Sequence, residues 1–357
     1  MSPKLIINLP GYFFSVIILI FLTQSCKKSN PNNPVKPAIV DVYVGGYTNG
    51  PSGKKVATYW KNGSAKGVSD SLLDALIYSI AVQNTDVYLA GEGLTPHALQ
   101  IGRCWKNGIP MPLEDSPTTV SAVAIEGNDV FAGGMYRTSH PNPAICYWKN
   151  GVISKITDGT TASYQWGMAV NNGDVYTVGG MGNQATYWKN NTLNLLPKGD
   201  SIFTEAHAIV TNGSDVYVAG MASSGPNASW LKNNAVVYWK NGVEIPLTTN
   251  LKSAFVTGIT VSANDVYIAA SCIDTTGIEP GVAVYWKNGV ATELHDGKNA
   301  TSAFGIAVNG KDVYVVGYAE RPNGVEAPIY IPVLWKNGVP TELATSGGAL
   351  CITLVPR

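Results

Sequence analysis

The sequence predicts an all-β fold, a seven-bladed β-propeller with four antiparallel strands per blade, and three observations carry that expectation. Trp-Lys-Asn recurs seven times, at Trp60, Trp105, Trp148, Trp188, Trp239, Trp286 and Trp335. An Asp followed by Val and an aromatic alternates with it, at Asp41, Asp86, Asp129, Asp174, Asp215, Asp265 and Asp312. Spacing of about 45 residues belongs to arrays of one supersecondary unit. Composition agrees: 38 Gly and 21 Pro with 45% hydrophobic residues suit short strands and tight turns. No stretch after residue 37 keeps a 3.6-residue apolar period.

Repeat seven shows the unit. Phe304-Gly305-Ile306-Ala307-Val308 is strand A, Asp312-Val313-Tyr314-Val315-Val316-Gly317 strand B, Val333-Leu334-Trp335 strand C and Val339-Pro340-Thr341-Glu342-Leu343 strand D, with a variable loop between B and C. Each run is strand length and rich in β-branched or aromatic residues. Asn337-Gly338 between C and D is the two-residue hairpin signal, because both central residues need positive φ. A small sheet has two faces to cover, and neighbouring blades cover them. The chain starts near strand B (Ile39 to Gly46) and ends on a strand A (Leu350 to Leu354), so the C-terminal strand is expected to complete the first blade and close the ring.

Before the repeats, Lys4 precedes an apolar run from Tyr12 to Leu22, which is shorter than the roughly 20 residues a spanning helix needs. Residues 1–25 therefore read as a secretory signal, 26–37 as a tether and 38–357 as the propeller. The tether has three prolines and almost no apolar side chains. Leu22-Thr23-Gln24-Ser25-Cys26 resembles a bacterial lipoprotein signal, with Thr23 in place of the usual Leu. That resemblance implies a lipid on Cys26, a membrane anchor without a span, and an address in the cell envelope, on an outer membrane.

The strand order also resembles the kelch and HAF extracellular repeat families, in which a small-residue strand leads to Tyr-Val-x-Gly and then to an aromatic-Trp strand. The resemblance runs from about Ile39 to the end and implies a propeller. It implies no activity, because propellers host many.

Net charge is zero and 13% of residues are charged, so no field for nucleic acid is expected. A monomer is expected. Nothing in the sequence asks for a cofactor or a metal: there is no G-x-S-x-G, H-E-x-x-H, Walker loop or EF-hand pattern, and the four His are spread widely. Of the four arginines, Arg103, Arg137, Arg321 and Arg357, the first and last do not read as rim residues, so a three-arginine carboxylate clamp is not expected. Cys104, Cys146, Cys272 and Cys351 read as buried small hydrophobes. Cys104 precedes its Trp by one residue and Cys146 by two, so the two are expected to face opposite ways, against a bridge.

The repeat itself separates a silent rim from a working one. Asp-to-Trp distances are 19, 19, 19, 14, 24, 21 and 23 residues, whereas Trp to the next Asp gives 26, 24, 26, 27, 26 and 26. Length variation thus lies in the B–C loops, which share a rim with the D–A loops, and variable loops on a rigid frame are where binding is expected. On the opposite rim each Asp is expected to cap its turn through backbone N–H groups and to pair with the turn Lys.

In strand A, the residues seven before each Asp are all small (Ser79, Ala122, Gly167, Ala208, Gly258, Gly305 and, by closure, Cys351), as convergence near an axis requires. The column one residue earlier is uneven: Tyr78, Ser121, Trp166, His207, Thr257, Phe304 and Leu350 should ring the channel mouth. Seven of the nine Trp are wedges between blades, and Trp166 and Trp230 are the exceptions. Glu205 and His207 share strand parity and should point together near Tyr164 and Trp166. Aromatic faces with a few polar groups suit a sugar ring.

The candidate ligand-binding set is Tyr78, Tyr164, Trp166, Glu205, His207, Trp230 and Phe304. The leading reading is a non-enzymatic, lipid-anchored propeller binding a glycan or a protein through the B–C and D–A rim. The alternatives are a carbohydrate-active lyase or hydrolase with His207 and Tyr164 or Glu205 as base and acid, and an assembly scaffold with a large apolar rim patch. An open mouth with those groups close together favours the enzyme, and a mouth sealed by Trp166 and Phe304 sinks it.

Overall fold

Seven four-stranded antiparallel sheets follow one another along the chain, each running from an inner strand A to an outer strand D. The computed structural model describes residues 39–357 except 98, 116, 225–233, 248–252, 274–280, 296–298 and 325. The signal, the tether with Cys26, and Trp230 therefore lie outside the described residues. Those described belong to one compact unit, Pro37–Arg357, and they form the all-β, seven-bladed propeller that the repeats predict.

Closure is as expected. The C-terminal strand Gly347–Pro356 pairs with Val40–Asn49 and becomes the innermost strand of blade 1. It packs between the inner strands of blade 7, Thr301–Asn309, and blade 2, Ala75–Gln83, which closes the ring. Arg357 adds a backbone bond from its N–H to the Ile39 carbonyl (2.9 Å) and an ion pair to Asp41.

The repeated Trp residues are all buried and staple one blade to the last. The indole N–H groups of Trp60, Trp148 and Trp239 donate to the carbonyls of Leu343, Glu114 and Pro197, each just past the outer strand of the preceding blade. At the axis, a Cβ added to Gly305 would meet Cys351 Cα at 3.3 Å, which is the convergence the small column anticipates.

The silent rim works differently from the expectation. In all seven blades the Asn of Trp-Lys-Asn, not the Asp, satisfies the backbone: Asn62 Oδ1 accepts the Val42 N–H at 2.8 Å, and its Nδ2 donates to Asp41 Oδ1 at 2.8 Å. Lys61 pairs with Asp41 Oδ2 at 3.2 Å while lying 5.1 Å from the Tyr43 ring centroid, and the same Lys–Asp and Lys–aromatic contacts recur around the ring. The reason is geometric. The C–D turn needs positive φ at both central residues (Asn62 49°, Gly63 84°), and a left-handed Asn presents its amide to the start of strand B. The Asp is left to bond the amide and the Lys of the turn.

One further expectation changes. Repeat seven has no loose B–C loop: strands Asp312–Asn323 and Glu326–Lys336 continue as a paired ribbon out to Asn323 and Glu326. Cys104 and Cys146 form no bridge, as expected, although opposite faces of adjacent blades bring them into one cluster. Both are buried, unbonded, in the cluster between blades 2 and 3, and burial pushes the Cys104 thiol up to about 12.

Candidate binding site at the channel mouth

Each inner strand carries an extra residue relative to its partner at the same position, and the inner strand of blade 3 carries a second, Thr118. The pairing register skips Tyr78, Ser121, Trp166, His207, Thr257, Phe304 and Leu350, so every member of the uneven column is the extra residue of a β-bulge. A bulge kinks its strand and re-aims the unpaired side chain. Seven bulges at equivalent positions thus turn seven side chains into one mouth.

The glycine of the Asp-Val-Tyr-x-x-Gly motif makes this room. A Cβ at Gly179 would stand 1.7 Å from the Tyr164 carbonyl oxygen, and one at Gly91 1.9 Å from that of Leu76. Side-chain bonds then fix the bulges of blades 3 and 4 together: Ser121 Oγ donates to Gln165 Oε1, and Gln165 Nε2 donates to the Gly167 carbonyl at 2.9 Å.

The mouth is open. A cavity of about 510 Å³ is lined by all seven bulge residues, by Tyr164, and by Glu92, Gln100 and Met135 from the second and third strands. A further 190 Å³ continues beneath it along the small column. Trp166 and Phe304 stand in its wall and do not seal it.

One wall is a braced aromatic. Trp166 is 46% exposed and Tyr164 50%. The Trp166 indole stacks on the His207 ring, centroids 5.4 Å apart and planes 12° from parallel, and its N–H donates to Glu205 Oε1 at 2.8 Å. Glu205 Oε2 stands 3.4 Å from His207 Nε2, with side-chain exposures of 13% and 16%. That Nε2 is sealed from solvent, and its approach to Glu205 lacks hydrogen-bond geometry. Burial pushes the Glu205 carboxyl up, but the His207 imidazole and the Trp166 N–H outweigh it and hold the group below its ordinary value. Glu205 is thus an ionised brace behind Trp166 and His207.

The opposite wall holds a second carboxylate that the strand-A columns do not reveal. Tyr78 Oη donates to Glu92 Oε1 at 2.6 Å, and Gln100 Nε2 donates to Glu92 Oε2. Burial, then Glu92, pushes the Tyr78 phenol up, so it remains a donor. The signal was present in strand B, where the position after the glycine reads Tyr47, Glu92, Met135, Gly180, Met221, Ser271 and Tyr318, with one charge in seven. Phe304 completes the wall, braced by Tyr318 at 5.5 Å, which in turn meets Tyr330 at 4.6 Å.

The structure brings together Tyr78, Tyr164, Trp166, His207 and Phe304 at one cavity with Glu205 behind it. Among the described residues no group of three or more His, Cys, Asp or Glu is placed to hold a metal.

No family model matches the sequence, and no curated protein matches it. Solved structures match by fold. A puromycin-hydrolysing peptidase from Mycobacterium tuberculosis is similar over 86% of this chain with a TM-score of 0.55 and 11% identity, and the chain spans about half of that protein, 52%. The β-propeller domain of the trilobed protease from Pyrococcus furiosus is similar over 87% of this chain and 97% of its own, with a TM-score of 0.52 and 9% identity. That domain is described as having an open velcro topology, whereas here the C-terminal strand closes the ring. What the chain shares with it is the propeller fold.

Proposed function

We propose that this protein is an exported, lipid-anchored propeller that holds a glycan at its channel mouth without transforming it. The observation that supports the reading is the exposed Trp166 face, fixed by Glu205 and His207 beside an open 510 Å³ cavity. Sugar rings present apolar C–H faces and hydroxyls. A rigid indole or phenol plane receives the first, and Gln100, Ser121 and the Tyr78 and Tyr164 hydroxyls are placed to receive the second. The loops that vary in length share this rim. A monomer is proposed, with no nucleic-acid partner, since no Lys or Arg is among the described residues lining the mouth.

The test is an array of neutral, amino and acidic oligosaccharides read with the wild-type chain and with Trp166→Ala. Binding of at least one glycan that falls tenfold or more in a folded Trp166→Ala protein is expected. Binding indifferent to that change would reject the mouth. For the address, metabolic labelling with a palmitate analogue should mark the wild type and spare Cys26→Ser, and equal labelling would reject the anchor.

The lyase or hydrolase reading has one observation in its favour, the 3.4 Å approach of Glu205 to His207 in an open mouth. Against it, His207 Nε2 is sealed from solvent, and Glu205, held below its ordinary value, has no proton to donate. New reducing ends appearing with wild type and not with His207→Ala would establish catalysis. The scaffold reading expects a contiguous apolar patch. The exposed Ile109, Val152, Val243, Val290 and Val339 instead occur one per blade on outer strands.

A further inference from the structure

The wall carrying Glu92 gives the mouth a charge preference, and this inference rests on the glycan reading above. Among the described residues lining the cavity there is no Lys or Arg, and one residue, Glu92, is a carboxylate. A second carboxylate, Glu205, stands just behind the Trp166 and His207 wall. In a cleft walled by apolar rings the field of these groups is poorly screened. An anionic sugar entering there meets like charge and no Lys or Arg among the described lining residues, and loses its hydration without replacement.

Glu92 is held for use. Tyr78 Oη and Gln100 Nε2 each take one of its oxygens, which fixes the plane of the carboxylate. A carboxylate has about four acceptor positions, so two are filled and two remain on a residue that lines the cavity. The neighbouring Tyr78 ring, the exposed Trp166 ring and the half-buried Phe304 ring line the cavity and offer π faces, which attract a cation and not an anion.

We propose that the mouth takes an amino sugar, with the sugar's ammonium group received by Glu92 and its ring laid on the aromatic wall. Glu92 sets specificity in this scheme, while Trp166 supplies the platform that any sugar would use. No bond is made or broken.

The experiment compares a glucosamine hexamer with its fully N-acetylated counterpart, which keeps the ring and loses the charge. Isothermal titration is run on the full chain, on Glu92→Gln and on Trp166→Ala. Glu92→Gln keeps an acceptor oxygen and the shape, so it separates charge from packing. The wild type is expected to prefer the free amine by about tenfold or more, as a charge-assisted hydrogen bond supplies. Glu92→Gln should bring the two ligands level, and Trp166→Ala should weaken both. A preference for the acetylated form, no preference at all, or a preference that survives Glu92→Gln would overturn the inference. If neither hexamer binds but another array glycan does, in a Trp166-dependent manner, the amino-sugar inference falls and the glycan reading stands. If no glycan binds in that manner, both fall.

Discussion

Trp166 and Glu205 come from the inner strands of neighbouring blades, 39 residues apart in sequence, and meet through a 2.8 Å hydrogen bond from the indole N–H to Oε1. One residue is half exposed at the cavity and the other is nearly covered behind it. The pairing converts a mobile surface indole into a fixed plane. Because the acceptor is ionised, removing it by Glu205→Ala should destabilise the fold by about 1.5–3 kcal/mol, and it should also release Trp166. Urea denaturation checks the first effect and glycan affinity the second. A loss below about 0.5 kcal/mol, within the range of ordinary surface substitutions, would show that the brace is incidental.

The same carboxylate predicts an acid dependence. Burial raises its pKa, but the neighbouring His207 imidazole and the Trp166 N–H outweigh that and hold its folded value below the ordinary 4.5. A group depressed on folding contributes stability that is fully present above its unfolded value and lost as pH falls through the folded value. Wild type and Glu205→Gln should therefore differ in stability at pH 7 and converge as pH falls below about 4.5. A gap that widens on acidification would contradict the assigned direction.

Much of this architecture is legible in the residues, for physical reasons that differ by site. Seven Trp-Lys-Asn and seven Asp-Val-aromatic landmarks count the blades, because each blade must bury the same faces. The mouth residues are visible as the one uneven column, since packing does not dictate them. The bulges that aim them are not visible as such, because a bulge is a property of pairing. Yet its footprint is there in Gly91, Gly179 and Gly317, at which a side chain would strike the bulged strand. Glu92 is not legible in the strand A columns because it stands on strand B and reaches the mouth from the second strand of its blade. Asp41 was given the role that Asn62 performs, since either side chain can accept a backbone N–H, and only the positive φ at the turn decides between them.

That turn yields a third prediction. Asn241 stands at φ 51° and accepts the Val216 N–H at 2.8 Å while donating to Asp215. Asn241→Ala loses both bonds and keeps a Cβ in the left-handed region, so a loss of about 1–3 kcal/mol is expected. Asn241→Gly relieves the backbone and should lose less. Equal losses in thermal or urea unfolding would mean that φ is not what selects Asn.

Close approach at the bulge yields a fourth. A methyl group at Gly179 would lie 1.7 Å from the Tyr164 carbonyl, so Gly179→Ala must displace the strand that carries Tyr164 and Trp166. Overpacking of this kind costs about 1–3 kcal/mol. Blade 6 carries Ala270 at the equivalent position, opposite Val256, and Ala270→Gly should change stability by less than about 1 kcal/mol. A neutral Gly179→Ala would show that the bulge has slack.

The claim that joins these observations is that the bulge-framed mouth is where this protein meets a sugar. The most direct measurement is a glycan array read in parallel with the full chain and with a folded Trp166→Ala variant. The account predicts wild-type signals on a set of glycans that all fall by about tenfold or more in the variant, the scale of one lost aromatic platform. Wild-type binding that persists unchanged in Trp166→Ala, or no wild-type binding to any glycan, would contradict it.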